Sequence, residues 1–295
     1  MNIWLIVIIC CCLLLAFLYQ YKGTLLHEIL HLPEYWWNVL PTDTSQMQEQ
    51  KISFGEHPRQ YFLWCTPLPD RPRSDKVIIW LHGGGWQHGK AEMFRANAQV
   101  LTKAGHSVAL MSYRLAPKFN YYAMREDLDL FLPKLLQTID YQNIKPKIIA
   151  GGMSSGATLA ALLLYDRTAL ARLGLSQNIF AAAALFGAPL DLSGMPDNYV
   201  LRAYAGRKDS EQFHLANPIT HLTEAEHIPL LIVQGKRDGL VNYRQVESFL
   251  TTLRQVQKSN IEVHWFEEYS HLDIVRWNYQ VDEVQLKLLS WLAKI

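Results

Sequence analysis

The chain has 295 residues, of which 49% are hydrophobic, and this is enough for one large domain with a packed core. Its 28 basic and 27 acidic residues give a formal net charge of +1. Because the chain also contains no long run of like charges, the composition argues against nucleic acid as a partner.

The N-terminal segment is strongly apolar. Residues 3–19 carry no charged side chain, and a helix needs about 17 to 25 apolar residues to cross a bilayer core of about 30 Å. We therefore expect residues 1–20 to form a single-pass membrane anchor, with the side of the membrane left open. A cleaved secretory signal is the alternative, but the segment lacks a basic start and a small-x-small cleavage site.

The rest of the chain divides into a connecting arm and one domain. Residues 21–50 are rich in aromatic residues without clean periodicity, and we expect them to pack as an arm over the domain. In residues 51–295, short apolar runs alternate with amphipathic stretches, which predicts an α/β fold with a mostly parallel central sheet flanked by helices. Residues 190–228 form an irregular insertion that is rich in Pro, Gly and Asp.

The predicted elements follow one another in the order that such a sheet requires. Strands are predicted at residues 51–54, 61–68, 77–81, 106–113, 147–152, 178–187, 228–235 and 260–268. Helices are predicted at residues 91–103, 122–138, 157–173, 243–257 and 281–295.

Two adjacent serines occur in the sequence GGMSSGA at residues 151–157. In the nucleophile-elbow motif G-x-S-x-G, the residues two before and two after the serine must be small, so that the strand and the helix can approach. Ser154 has Gly152 and Gly156 at these positions, whereas Ser155 has a methionine and an alanine. We therefore predict Ser154 as a nucleophile and expect the backbone N–H of Ser155 to point into an oxyanion hole. The alternative is a structural turn.

A second glycine-rich stretch, HGGGWQHG at residues 82–89, follows a predicted buried strand. Three consecutive glycines lose much conformational entropy on folding, which indicates unusual dihedrals or a close approach to another group. We expect this loop to supply N–H donors to an oxyanion. A tight turn and a phosphate-binding loop are the alternatives, but the G-K-[ST] sequence of the latter is missing.

A serine nucleophile needs a base that is oriented by a carboxylate. In this kind of sheet the chain order is Ser, then Asp or Glu, then His, on loops after late strands. Asp238 and His271 follow the last two predicted strands in this order. Asp191 is an alternative acid, and His264 is expected to be packed within a strand. Asp273 is expected to be a solvated loop charge.

Five motifs in this order resemble the α/β-hydrolase superfamily, and in particular its hormone-sensitive-lipase-like branch. They are HGGGW, SYRLAPK, GMSSGA, GKRDGLV and YSHLDIV. Related features occur in kynurenine-formamidase-like and feruloyl-esterase-like enzymes. The resemblance covers residues 51–295 and implies the α/β-hydrolase fold, with residues 190–228 as a cap-like insertion. It implies Ser154 as nucleophile, Asp238 as orienting acid and His271 as general base.

The resemblance also implies an oxyanion hole and a function. Gly83, Gly84 and the Ser155 N–H would be the donors, Gly85 could replace one glycine, and His82 would hold the loop. The chain departs from the lipase-like pattern G-D-S-A-G, because methionine and serine flank the nucleophile.

The expected function is that of a carboxylesterase-type serine hydrolase (EC 3.1.1.-) acting on small to medium apolar esters through an acyl-enzyme. No metal or organic cofactor is expected. Trp86 is expected to bind substrate, with Trp36 and Trp37 of the arm as further candidates. One alternative is an arylformamidase or amidase with the same triad. Another is a catalytically inactive, membrane-tethered binding module.

Overall fold

The structure is a computed structural model that describes residues 3–222, 227–256 and 260–295. Residues 1 and 2 of the predicted anchor and residues 223–226 of the predicted insertion lie outside the described residues.

A single sheet forms the centre of the structure. Its strands are β1 (Gln48–Ser53), β2 (Tyr61–Thr66), β3 (Lys76–Leu81), β4 (Ser107–Met111), β5 (Lys147–Met153), β6 (Phe180–Phe186), β7 (Leu230–Gly235) and β8 (Ile261–Phe266). The spatial order is β1-β2-β4-β3-β5-β6-β7-β8. β1 and β2 are antiparallel to their neighbours, and the remaining pairs are parallel. The predicted mostly parallel sheet is therefore confirmed.

Helices precede, cover and connect the strands. They are α1 (Ile3–Gln20), α2 (Leu25–Val39), α3 (Arg95–Lys103), α4 (Tyr121–Thr138), α5 (Tyr141–Ile144), α6 (Ser155–Tyr165), α7 (Arg167–Arg172), α8 (Tyr199–Ala205), α9 (Glu211–Ala216), α10 (Tyr243–Val256) and α11 (Glu283–Lys294).

The core lies on both faces of the sheet. On one face the sheet packs with buried residues of α4, α6 and α10, and on the other with those of α2, α3 and α11. Because both faces are covered, the central strands carry continuous apolar runs instead of alternating apolar and polar residues. β3, with the sequence KVIIWL, and β7, with LLIVQG, show this directly.

The prediction of a membrane-spanning N-terminal helix is wrong. Among the described parts of the chain, no helix combines the length and the apolar character that crossing a bilayer demands. The single-pass membrane localisation expected from this helix is therefore wrong as well, and membrane contact through it is not supported.

The segment predicted as a connecting arm contains a regular helix, α2. Thr24 caps its N-terminus, where the side-chain oxygen accepts the N–H of His27 at 3.2 Å. α1 packs against α2, and the Tyr19 hydroxyl donates to Glu34 at 2.9 Å. Tyr35 and Val39, on the inner side of α2, are buried in the core. α2 is therefore a packed part of the domain.

Candidate active site

Ser154 lies at a sharp turn between β5, which ends at Met153, and α6, which begins at Ser155. Its backbone has φ +52° and ψ −129°, a conformation that L-residues rarely adopt. The Ser154 N–H donates to the Phe186 carbonyl at 2.8 Å, which ties the turn to the end of β6. Strained backbone of this kind clusters at functional sites.

The two glycines that flank this turn allow α6 to pack close to β3 and β5. A Cβ at Gly152 would lie 2.8 Å from the carbonyl oxygen of Leu81, and one at Gly156 would lie 2.5 Å from the Leu81 carbonyl carbon. Both distances are shorter than van der Waals contact. The steric argument for small residues around Ser154 therefore describes the actual packing. Ser155 is itself buried.

The structure brings Asp238 and His271 together, although 33 residues separate them. His271 Nδ1 lies 2.7 Å from Asp238 Oδ2, and both side chains are buried. The other Asp238 oxygen accepts the N–H groups of Leu240 at 2.8 Å and Val241 at 2.7 Å. Gln234 Nε2 also donates to Oδ2 at 3.1 Å, so the carboxylate is held in a fixed orientation.

This hydrogen bond fixes the protonation of the His271 ring. A carboxylate accepts, so Nδ1 carries the proton and Nε2 is left as the acceptor in the neutral ring. Burial lowers the pKa of His271, but the charge and hydrogen bond of Asp238 and the charge of Glu28 outweigh it, so the pKa is raised above 6.5. These are the properties of a general base held ready to accept a proton.

Gly187, which follows β6, lies against the His271 ring. A Cβ there would be 3.0 Å from His271 Cε1 and 2.8 Å from Ile274 Cδ1. The absence of a side chain therefore leaves room for the His271 ring, which lines the same cavity as Ser154.

The glycine loop lies beside Ser154. A Cβ at Gly83 would be 3.3 Å from the Ser154 Cβ, and Gly83, Gly84 and Gly85 line the cavity together with Ser154. Gly84 has φ +127° and its carbonyl accepts the N–H of His88 at 3.0 Å. The loop therefore turns tightly and exposes backbone next to the serine, as an oxyanion hole requires.

His82, the residue before the three glycines, holds this loop through a hydrogen bond. It is buried, its Nδ1 lies 2.9 Å from the Gly83 carbonyl oxygen, and its ring stacks on Tyr113 with centroids 4.1 Å apart. Burial lowers its pKa to about 3, so the ring is neutral and Nδ1 donates to the carbonyl. The Tyr113 hydroxyl donates to the His82 carbonyl at 2.8 Å. Arg59 donates to the carbonyls of Tyr113 and Gly89.

A cavity of about 470 Å³ opens beside Ser154 and His271. Its walls come from α2, from the segment before α3, from the end of β5, and from the loops that follow β7 and β8. The side chains of these walls are Leu32, Tyr35, Trp36, Met93, Phe94, Met153, Leu240 and Leu272. These side chains are apolar or aromatic, and His88 of the glycine loop adds a polar one. The cavity therefore favours a mainly apolar group. Met153, the departure from the G-D-S-A-G pattern, is one of these wall residues.

The predicted cap does not contribute to this cavity. None of the described residues of the 190–228 insertion lines it. Val200 instead lies on the other side of the glycine loop, where it would be 3.5 Å from a Cβ at Gly85. α2 therefore forms the wall that a cap was expected to form.

Trp86 does not reach the cavity. It is 1% exposed and stacks on Tyr204, with ring centroids 4.3 Å apart. Of the two arm tryptophans, Trp36 lines the cavity, whereas Trp37 is 83% exposed. The glycine loop turns at Trp86, whose φ is +59°, and this directs the indole into the core.

The alternative acid Asp191, the loop residue Asp273 and the strand residue His264 all have partners other than His271. Asp191 accepts from Ser248 at 2.7 Å and caps a short turn. Asp273 is buried and pairs with Lys22 at 2.6 Å, so the expectation of a solvated charge is wrong. His264 contacts Glu262 at 2.9 Å within β8.

Three further residues belong to the site. Glu28 of α2 accepts the backbone N–H groups of Gly239 and His271, and because it lies more than 200 positions away from them, no local pattern indicates it. Leu240 and Leu272 directly follow the acid loop and the base, and this adjacency is a signal that could have identified them.

Comparison with known proteins identifies a family. A family model, BD-FAE, matches residues 68–253, which is more than half of the chain. Esterase LipC of Mycobacterium tuberculosis is 24% identical over 233 residues, covering 73% of this chain and 57% of that protein. The FAD-linked oxidoreductase pytB of Aspergillus terreus is 31% identical over 135 residues, covering 44% of this chain and 15% of that protein. The matches thus span 57% or less of these curated relatives.

Solved structures share the fold. Esterase B from Lactobacillus rhamnosis superposes with a TM-score of 0.75 at 18% identity, covering 90% of each chain. The Francisella virulence factor BioJ gives a TM-score of 0.72 at 18% identity, with 92% of each chain covered. A bacterial heroin esterase gives 0.69 at 19% identity, covering 90% of this chain and 88% of that one. The expected α/β-hydrolase fold is thus confirmed.

Proposed function

This chain belongs to the BD-FAE family, and on that premise we propose that it is a serine hydrolase that cleaves carboxylic esters of small to medium apolar substrates. The observation that carries the proposal is one shared cavity. Ser154, at its strained turn, and His271, hydrogen-bonded to Asp238, both line it beside the glycine loop. A Ser-His-Asp triad needs these three groups together, and we assign Ser154, His271 and Asp238 to it.

The triad performs acyl transfer in two similar steps. His271 Nε2 takes the proton of the Ser154 hydroxyl as the oxygen attacks the ester carbonyl, and then gives it to the leaving alcohol. Asp238 holds the ring in the required tautomer and stabilises the imidazolium. Water then attacks the acyl-enzyme by the same proton transfers and releases the acid.

The oxyanion is held by backbone N–H groups. Among the described residues, no hydrogen-bond acceptor is recorded for the N–H groups of Gly84, Gly85 and Ser155. Donors aimed at the developing charge lower the barrier, and one such donor contributes about 10²- to 10³-fold to kcat. We assign Ser155 with Gly83, Gly84 or Gly85 to this role.

The substrate class follows from the cavity. The cavity volume of about 470 Å³ lies within the usual range for small-molecule sites. The side walls of the cavity are mainly apolar. Trp36 and Leu32 of α2, together with Phe94, are the residues that we expect to contact the apolar part of the ester. Trp86, which is buried on Tyr204, is expected to support the loop instead of binding substrate.

A panel of p-nitrophenyl esters of increasing acyl length, measured beside N-formyl-kynurenine, tests this function. We expect kcat/KM to rise from acetate to medium chains and to fall once the acyl group exceeds the cavity. Ser154→Ala should abolish turnover of every ester. Cleavage of N-formyl-kynurenine without ester hydrolysis would favour an amidase, and no turnover of either class would refute the hydrolase proposal.

A further inference from the structure

Glu28, in the first turns of α2, is a buried carboxylate with an unusual set of partners. It is 3% exposed, and no salt bridge to it occurs among the described residues. Its Oε1 accepts the N–H of Gly239 at 3.0 Å and of His271 at 2.9 Å, and its Oε2 accepts the N–H of Leu272 at 3.3 Å. Backbone N–H groups therefore satisfy this charge, which would otherwise be costly to bury.

The three N–H groups belong to the two loops that carry the acid and the base. Gly239 directly follows Asp238, and the other two donors are His271 itself and its neighbour. One carboxylate thus bridges the loops whose relative position sets the 2.7 Å hydrogen bond between Asp238 and His271.

The chain before Glu28 holds the same two loops. Lys22 Nζ donates to the Glu268 carbonyl at 2.9 Å and pairs with Asp273 at 2.6 Å. Thr24 lies so close to the other loop that a Cβ at Gly239 would be 2.8 Å from the Thr24 nitrogen. Residues 22–28 therefore contact both loops at several positions. Among these contacts, those of Glu28 reach His271 itself and the residue that follows Asp238.

We propose that Glu28 is a positioning residue for the ester hydrolysis proposed above. Its carboxylate fixes the position of the loop that carries Asp238 relative to the loop that carries His271. It touches neither the substrate nor the reacting atoms. Its negative charge also favours the imidazolium form of His271, the form that develops during attack by Ser154. Glu28 thus acts on geometry and on charge, and the two effects are separable by substitution.

Glu28→Gln removes the charge and replaces one acceptor oxygen with an NH₂ group that faces N–H donors. A misplacement of about 1 Å at a catalytic group can lower turnover by about 10², so we expect kcat to fall about 10- to 100-fold with KM little changed. In the pH profile of kcat/KM, the rise in activity on the acid side (the acid limb) should move to lower pH, because loss of a nearby negative charge lowers the pKa of His271. Glu28→Asp keeps the charge but withdraws it by one methylene, so kcat should fall without movement of the acid limb.

Glu34→Gln is the matched control, because Glu34 lies on the same helix and is exposed, and its side chain bonds only the Tyr19 hydroxyl among the described residues. It should retain the kcat and pH profile of the wild type. Wild-type kcat in Glu28→Asp, or an unmoved acid limb in a folded Glu28→Gln, would overturn the proposal. If Glu28→Gln does not fold, Glu28→Asp decides alone through kcat. Fluorophosphonate labelling of Ser154 in the wild type separates these failures from failure of the proposed function.

Discussion

Gly84→Ala is the perturbation for which the structure gives the clearest expected magnitude. The glycine has φ +127°, and a Cβ there would lie 2.7 Å from the carbonyl carbon of His88. Non-bonded carbon atoms are comfortable at about 3.5–4.0 Å, so the loop must move by about 1 Å to accept the methyl group. The movement displaces N–H groups that we assign to the oxyanion hole.

The expected loss is in turnover and not in substrate binding. Removing one oxyanion donor lowers kcat by about 10²- to 10³-fold, and we expect Gly84→Ala to lose an amount in this range. KM should change little, because the apolar walls of the cavity are untouched. The assay is steady-state hydrolysis of p-nitrophenyl butyrate.

Gly174→Ala is the matched control. Gly174 has φ +69°, and no heavy atom lies within 4 Å of a Cβ at that position. The substitution therefore carries backbone strain of about 1–2 kcal/mol without a clash, and it should lower the thermal unfolding temperature by a few degrees while kcat is retained. If Gly84→Ala loses no more kcat than Gly174→Ala, the assignment of the glycine loop to the oxyanion hole is refuted.

Three further predictions concern the cavity, the triad and the buried histidine. Trp36→Ala should shift the preferred acyl chain to a longer one in the p-nitrophenyl series, whereas Trp37→Ala, at an exposed position, should not. Asp238→Asn should lower kcat by about 10⁴, because the amide favours the wrong tautomer of His271, and circular dichroism should show an unchanged fold. The pKa of His82 is about 3 in the folded chain and near 6.5 when unfolded, so the unfolded state binds more protons between these values. The free energy of unfolding should fall with decreasing pH across this window, by up to about 1.4 kcal/mol per pH unit from this group, and a shallower slope in His82→Asn, measured by urea unfolding, checks this.

That Ser154, Asp238 and His271 lie at one edge of the sheet could be predicted from the sequence, because each position depends on local features. Small residues on both sides of Ser154 are a steric requirement of the turn, and the contacts at Gly152 and Gly156 show that requirement. Asp238 and His271 each follow a strongly apolar strand, so strand order alone places them at one edge of the sheet.

The wall of the cavity could not be predicted, because it depends on contacts between distant parts of the chain. α2 contains Pro33 and has aromatic residues on more than one side, so its periodicity was obscured. Its role comes from contacts such as the one between Glu28 and His271, which are separated by 243 positions.

The membrane anchor and Trp86 were misplaced for different reasons. The expectation for residues 1–20 rests on the number of apolar residues alone. Such a number does not indicate that α1 packs against α2. Trp86 follows three glycines, and the residue types alone do not determine whether its indole points into the cavity or into the core. Its positive φ sends the ring towards Tyr204.

The nucleophile is the central claim, and fluorophosphonate labelling followed by peptide mass spectrometry tests it most directly. The probe should modify Ser154 of the wild type, fail to label Ser154→Ala, and still label Ser155→Ala, because the Ser155 side chain is buried outside the cavity. Labelling that survives in Ser154→Ala and disappears in Ser155→Ala would contradict the account.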